Sequence, residues 1–105
     1  MGSPVALQEN VITLHVGQKL DRNMLLRNLV TALYVRNDVD LQRGNFRVKG
    51  DTVDIAMAYS EVVLRVTFWD DEIDAIEEVD AVTFDRLARF EEYQLYPANL
   101  FMTSQ

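Results

Sequence analysis

One stretch of this chain leaves little choice of local structure. It reads Asn45-Phe46-Arg47-Val48-Lys49, then Gly50-Asp51, then Thr52-Val53-Asp54-Ile55. Glycine at the first central position of a two-residue turn accepts φ > 0 without steric penalty and suits a type II′ hairpin. The turn dictates the register: Lys49 faces Thr52, Val48 faces Val53, Arg47 faces Asp54 and Phe46 faces Ile55. In that register apolar residues pair on one face and polar ones on the other, so turn chemistry and hydrophobic pattern agree. Arg47 and Asp54 then form a cross-strand ion pair, worth roughly a few tenths of a kcal/mol if exposed.

The remaining elements follow from period and punctuation. Pro4 to Asn10 suits one or two helical turns. Val11 to Val16 is rich in β-branched residues and stops at Gly17, which predicts a strand. Asp21 to about Leu33 predicts a helix. Asp21 is placed to cap it, and Leu25, Leu29 and Leu33 recur every four residues beside Leu26 and Val30. Tyr34-Val35 extends into a short strand, and Arg36 to Gly44 reads as a polar loop. Val62 to Trp69 predicts a strand with Leu64, Val66 and Phe68 inward and Arg65, Thr67 and Trp69 outward. The acidic turn Asp70-Asp71 leads into a strand from Glu72 to Ile76. Thr83 to Phe90 and Glu91 to Tyr96 read as a last hairpin ended by Pro97. Together these predict an α+β domain: a mainly antiparallel sheet of five or more strands packed with one main helix.

The chain has 105 residues, which fits one domain over 1–105. It has no cysteine, which excludes disulfides and Cys-based zinc sites and suits the cytoplasm. No apolar run reaches the roughly 18 residues of a membrane span. Met1-Gly2-Ser3-Pro4 lacks the pattern of a secretory signal, and both ends read as cut from a longer chain.

Catalytic groupings are sparse. His15 is the one histidine and has no evident partners for metal binding or base catalysis, so it reads as a structural or surface residue. No phosphate-binding glycine motif and no nucleophile elbow occurs. The acids Asp70, Asp71, Glu72, Asp74, Glu77 and Glu78 lack the alternation and glycine of an EF-hand loop and read as a solvated edge. A small acidic enzyme using Asp70 and Glu72 is the weakest of the functional readings.

Charge is more informative. The chain carries a net −7, which argues against nucleic-acid binding by the whole surface. It is unevenly spread: residues 1–50 hold seven basic against four acidic residues, and residues 51–105 hold three against thirteen. Arg47, Lys49 and Arg65 are expected to leave the same sheet face, with Arg36 at the mouth of the adjoining loop and Trp69 an apolar anchor if exposed. This face is either a solvated surface, a patch for an acidic protein partner, or a nucleic-acid site. Arginine favours the protein-partner reading, because its planar fork grips carboxylates in a bidentate way.

The segment from Arg36 to Asp51 resembles the signature of the second domain of the UvrB family, the B component of the bacterial excinuclease ABC. Val16-Gly17-Gln18-Lys19-Leu20-Asp21-Arg22-Asn23, Leu64-Arg65-Val66-Thr67-Phe68, Asp71-Glu72-Ile73-Asp74-Ala75-Ile76, Tyr96-Pro97-Ala98-Asn99 and Gly2-Ser3-Pro4 are similar to it as well. Nearly the whole chain is covered. A related domain of the transcription-repair coupling factor is the alternative. Its hairpin usually reads Gly-Glu-Phe and then Arg-Gly-Gly, whereas Gly44-Asn45-Phe46 and Lys49-Gly50-Asp51 stand here.

The resemblance implies a non-enzymatic module that docks on the UvrA protein, the damage sensor, during nucleotide excision repair. It implies no cofactor, small-molecule substrate or membrane contact for this domain. ATP, magnesium and DNA would be handled by other parts of the parent. It also implies partner-binding roles for Arg36, Arg47 and Arg65, with Lys49 where an arginine is common and Thr67 where some relatives carry glutamate. Lys49 keeps the charge without the bidentate fork, and Thr67 carries none. Ala56-Met57 stands where Phe-Pro is usual, a change expected at a strand end and not at the interface.

Overall fold

A computed structural model describes residues 11–57 and 61–98; the expected turns at Pro4 to Asn10 lie outside them. The elements in chain order are β1 (Ile12–His15), α1 (Arg22–Thr31), β2 (Val35–Arg36), β3 (Asn45–Lys49), β4 (Thr52–Ala56), β5 (Val62–Trp69), β6 (Glu72–Asp80), β7 (Arg86–Phe90) and β8 (Glu92–Leu95). Six strands form one sheet in the order β2-β3-β4-β5-β6-β7, and β1 and β8 form a second, two-stranded sheet. All pairs are antiparallel except β2 with β3. This is the α+β, mainly antiparallel fold expected.

The β3–β4 hairpin adopts the register its turn dictates, from Lys49↔Thr52 to Phe46↔Ile55. Gly50 sits at φ 62, in the region where a side chain would be strained. The inner sheet face is lined by Phe46, Val53, Ile55, Leu64, Val66, Phe68, Ile73 and Ile76, in one core with Leu14, Leu25, Leu29 and Leu95. Each such side chain contributes about 1.5–3 kcal/mol by leaving water.

Three local expectations are corrected. Asp21 has the extended backbone of an N-cap, but its side chain makes no capping bond. Its carbonyl instead accepts from the Met24 and Leu25 N–H groups. Leu33 does not continue the buried stripe. It takes φ 71 just past the helix, where Leu33 N–H donates to Val30 and Tyr34 N–H to Leu29. That is a Schellman closure, and it turns Leu33 outward while burying Ala32 and Tyr34. Val30 is exposed too, so the apolar stripe is narrower than its leucine spacing suggested.

Nor do the last two strands form a hairpin. β7 pairs with β6, and β8 pairs with β1. A single residue, Glu91, separates them, too little for the usual two-residue hairpin loop. The chain therefore runs on from the large sheet to the small one. Both edges of the large sheet are blunted against stray pairing: β2 is two residues long, and β7 carries a register break beside Leu87 with Arg86 and Arg89 on it.

Candidate functional site

Alternation along the strands sends every second residue to the outer face of the large sheet, and the registers order those residues into rows. One row is apolar: Ala56, Val63 and Val79. Leu41 and Phe84, from the loops before β3 and before β7, pack over it. Ala56 closes β4 at this covered end. The opposite row, Lys49, Thr52, Thr67 and Ala75, has no such cover in the same cluster, and Trp69 lies beyond Thr67, 74% exposed.

Between them runs a row of alternating charge across five strands: Arg47, Asp54, Arg65, Glu77 and Arg89. Its buried member is Asp54, only 2% exposed. Arg65 Nε donates to Asp54 Oδ1 at 2.8 Å, and Arg47 Nη2 donates to Asp54 Oδ2 at 2.9 Å. Arg65 Nη2 reaches the same Oδ2 at 3.4 Å. The bond to Asp54 holds the Arg65 pKa above its ordinary value, against the opposing effect of burial. The expected Arg47–Asp54 pair forms, but within a largely buried two-to-one cluster, because β5 delivers a second arginine to the same carboxylate. Farther along the row Arg86 Nη1 donates to Glu77 Oε2 at 3.1 Å, so that acid is already engaged.

Phe84 completes the cluster. Its ring centroid lies 5.3 Å from the Arg47 guanidinium carbon and 5.7 Å from that of Arg65, within cation–π range. Phe84 stands at φ 62, a conformation that costs a non-glycine residue about 1–3 kcal/mol. The loop is held from its start by Asp80. Its carboxylate accepts the Val82 N–H at 2.7 Å and the Thr83 N–H at 3.0 Å, while its carbonyl accepts the Phe84 N–H.

The sequence-predicted positions divide. Arg47, Lys49, Arg65 and Thr67 come together with Thr52 and Asp54 around one shallow depression of about 400 Å³. Arg36 does not line it. It lies on β2 beside Phe46, and its guanidinium is held by Asp38 at 3.1 Å. That bond, together with the Val48 N–H, holds the Asp38 carboxyl below its usual range. Asp54 was legible only as a partner for Arg47, and Phe84 carried no sequence signal. Among the described residues no cluster of three or more His, Asp or Glu could hold a metal ion, and no helix is long and apolar enough to cross a membrane. His15 is exposed, 3.7 Å from Glu92.

The profile of the UvrB interaction domain matches residues 12–101. This chain belongs to the UvrB interaction domain family. Over all 105 residues it is 64% identical to UvrABC system protein B of Bacteroides thetaiotaomicron and 60% identical to that of Bacteroides fragilis. It is 47% identical to UvrABC system protein B of Bacillus cereus. The chain spans 16% of the length of each of these relatives. Of the two families that the sequence resembles, UvrB is the one these matches name.

Proposed function

We propose that this chain is the module through which a UvrB protein docks on UvrA in bacterial nucleotide excision repair, and that it is not itself catalytic. The observation that carries this reading is the sharing of one buried carboxylate by Arg47 and Arg65. Asp54 offsets one of the two positive charges and fixes both guanidiniums. A net cation remains at a defined place, with Lys49 beside it. Such a patch fits an acidic protein surface, and Arg47, Arg65, Lys49 and Thr67 are the residues assigned to meet it. Trp69 supplies an exposed apolar contact at the rim. Arg36, already paired with Asp38, is assigned an outlying contact only.

A charged interface of this kind associates fast, with an affinity that falls as salt rises. ATP, magnesium and DNA are assigned to the remainder of the longer relatives. For this module we propose no cofactor, small-molecule substrate or membrane contact, and a cytoplasmic location. The net −7 of the chain counts against direct DNA binding.

The test is calorimetric titration of the chain with purified UvrA at two salt concentrations, with double-stranded DNA as a parallel titrant. Saturable, salt-weakened binding to UvrA without binding to DNA is the expected result. Binding to DNA and not to UvrA overturns the assignment.

A further inference from the structure

We infer that Phe84 is a positioning residue for docking: its ring keeps the Arg47 and Arg65 guanidiniums in the arrangement in which they share Asp54. The inference rests on the docking function proposed above. Two guanidiniums against one carboxylate repel each other: Asp54 offsets one of the charges, and Glu77, opposite Arg65 but already engaged by Arg86, adds only a weaker attraction. The electron-rich face of an aromatic ring supplies the missing attraction without adding a charge. Phe84 is placed to do so, with both guanidinium carbons within 6 Å of its ring centroid. Arg47 is visibly constrained. Its Nε is buried with no acceptor, a state that a free arginine relieves by swinging into water.

The loop conformation points the same way. A turn that only had to reverse the chain at φ 62 would be met by glycine at no steric cost. Here the strained position carries a large aromatic, held by the Asp80 carboxylate and by packing against Ala56, Val63 and Val79. Lys49 provides the internal contrast. It lies on the same face, is exposed, and its ammonium makes no hydrogen bond or ion pair among the described residues. Around the depression the face therefore offers two fixed cations and one loose one. Fixing a side chain before association removes part of the ordering cost of binding.

Covering the apolar row and orienting the arginines are separable roles. Phe84→Leu keeps an apolar side chain over Ala56, Val63 and Val79 but has no ring face, whereas Phe84→Tyr keeps the ring. The experiment compares wild type and both variants by calorimetric titration with UvrA, and records the arginine Nε–H NMR signals of each free chain. Wild type and Phe84→Tyr are expected to bind alike, with distinct, slowly exchanging signals for Arg47 and Arg65. Phe84→Leu is expected to bind roughly ten-fold more weakly, with those signals averaged by exchange. Wild-type affinity in Phe84→Leu, or unchanged arginine signals, overturns the positioning role while leaving docking intact. No binding of UvrA by the wild type overturns the docking function, and this inference with it.

Discussion

Arg65 Nε donates to Asp54 Oδ1 at 2.8 Å across the β4–β5 ladder, and Asp54 is the one buried charged residue among the described residues. The pair explains how a charged row crosses the sheet without disrupting it. The carboxylate gives up water but is met by donors from the strands on both sides. The arginine side chains keep about a quarter to a third of their surface in solvent (25% for Arg47, 31% for Arg65). Their charge is oriented and still available.

Replacing the shared acceptor tests this arrangement. Asp54→Ala leaves two half-buried guanidiniums facing each other without an acceptor. It is expected to destabilise the fold by about 1–3 kcal/mol, below the roughly 3–5 kcal/mol typical of fully buried pairs because both arginines can rehydrate. Urea denaturation measures it. A loss under roughly 0.5 kcal/mol would mean that the cluster contributes little to folding.

Removing either donor separates docking from folding. Arg47→Ala and Arg65→Ala each leave Asp54 one arginine partner, so the fold is expected to survive. Docking on UvrA is expected to weaken by more than about 1 kcal/mol, as for interface arginines generally. Titration of each variant reads this directly, and unchanged affinity in both removes them from the interface.

Acid acts on the loop that carries Phe84. The Thr83 and Val82 backbone N–H groups hold the Asp80 carboxyl below its ordinary value of 3.8. A depressed folded pKa means that the carboxylate's stabilisation is fully present above about 3.8 and is lost as pH falls through the lower folded value. The amide signals of Val82 and Thr83 are therefore expected to shift together in that acid range. Asp80→Asn keeps an acceptor oxygen and cannot titrate, so it should abolish the transition. Persistence of the transition in that variant would place its origin elsewhere.

The hairpin turn offers a cleaner stability test. A Cβ built on Gly50 meets nothing within 4 Å, so Gly50→Ala adds no clash. Its cost is conformational alone, about 1–2 kcal/mol for an alanine at φ 62. Gly50→Asn should cost less, because asparagine visits this region more readily. Equal melting temperatures for wild type and Gly50→Ala would show that the turn relaxes to another type.

Relations between chain neighbours were legible in the amino-acid sequence by itself. The β3–β4 register, the β5 alternation and the outward positions of Arg47, Lys49 and Arg65, each on its own strand, follow from a period of two and a glycine whose φ its turn requires. These need only the residues within one hairpin or one strand. Relations between distant segments were not legible there. Asp54 became a shared, buried acceptor only because β5 pairs with β4 in the register that sets Arg65 opposite it. The alternating row reached Arg89 only because β7 joined β6 and left β8 to β1. Phe84 reached both arginines through a loop whose path is set by Asp80 and by the apolar row beneath it. Backbone sterics and side-chain alternation act locally and are written residue by residue. Which strands meet, which charges lose their water and where a strained loop comes to rest depend on burial summed over the whole core, and that is decided only when the chain has closed on itself.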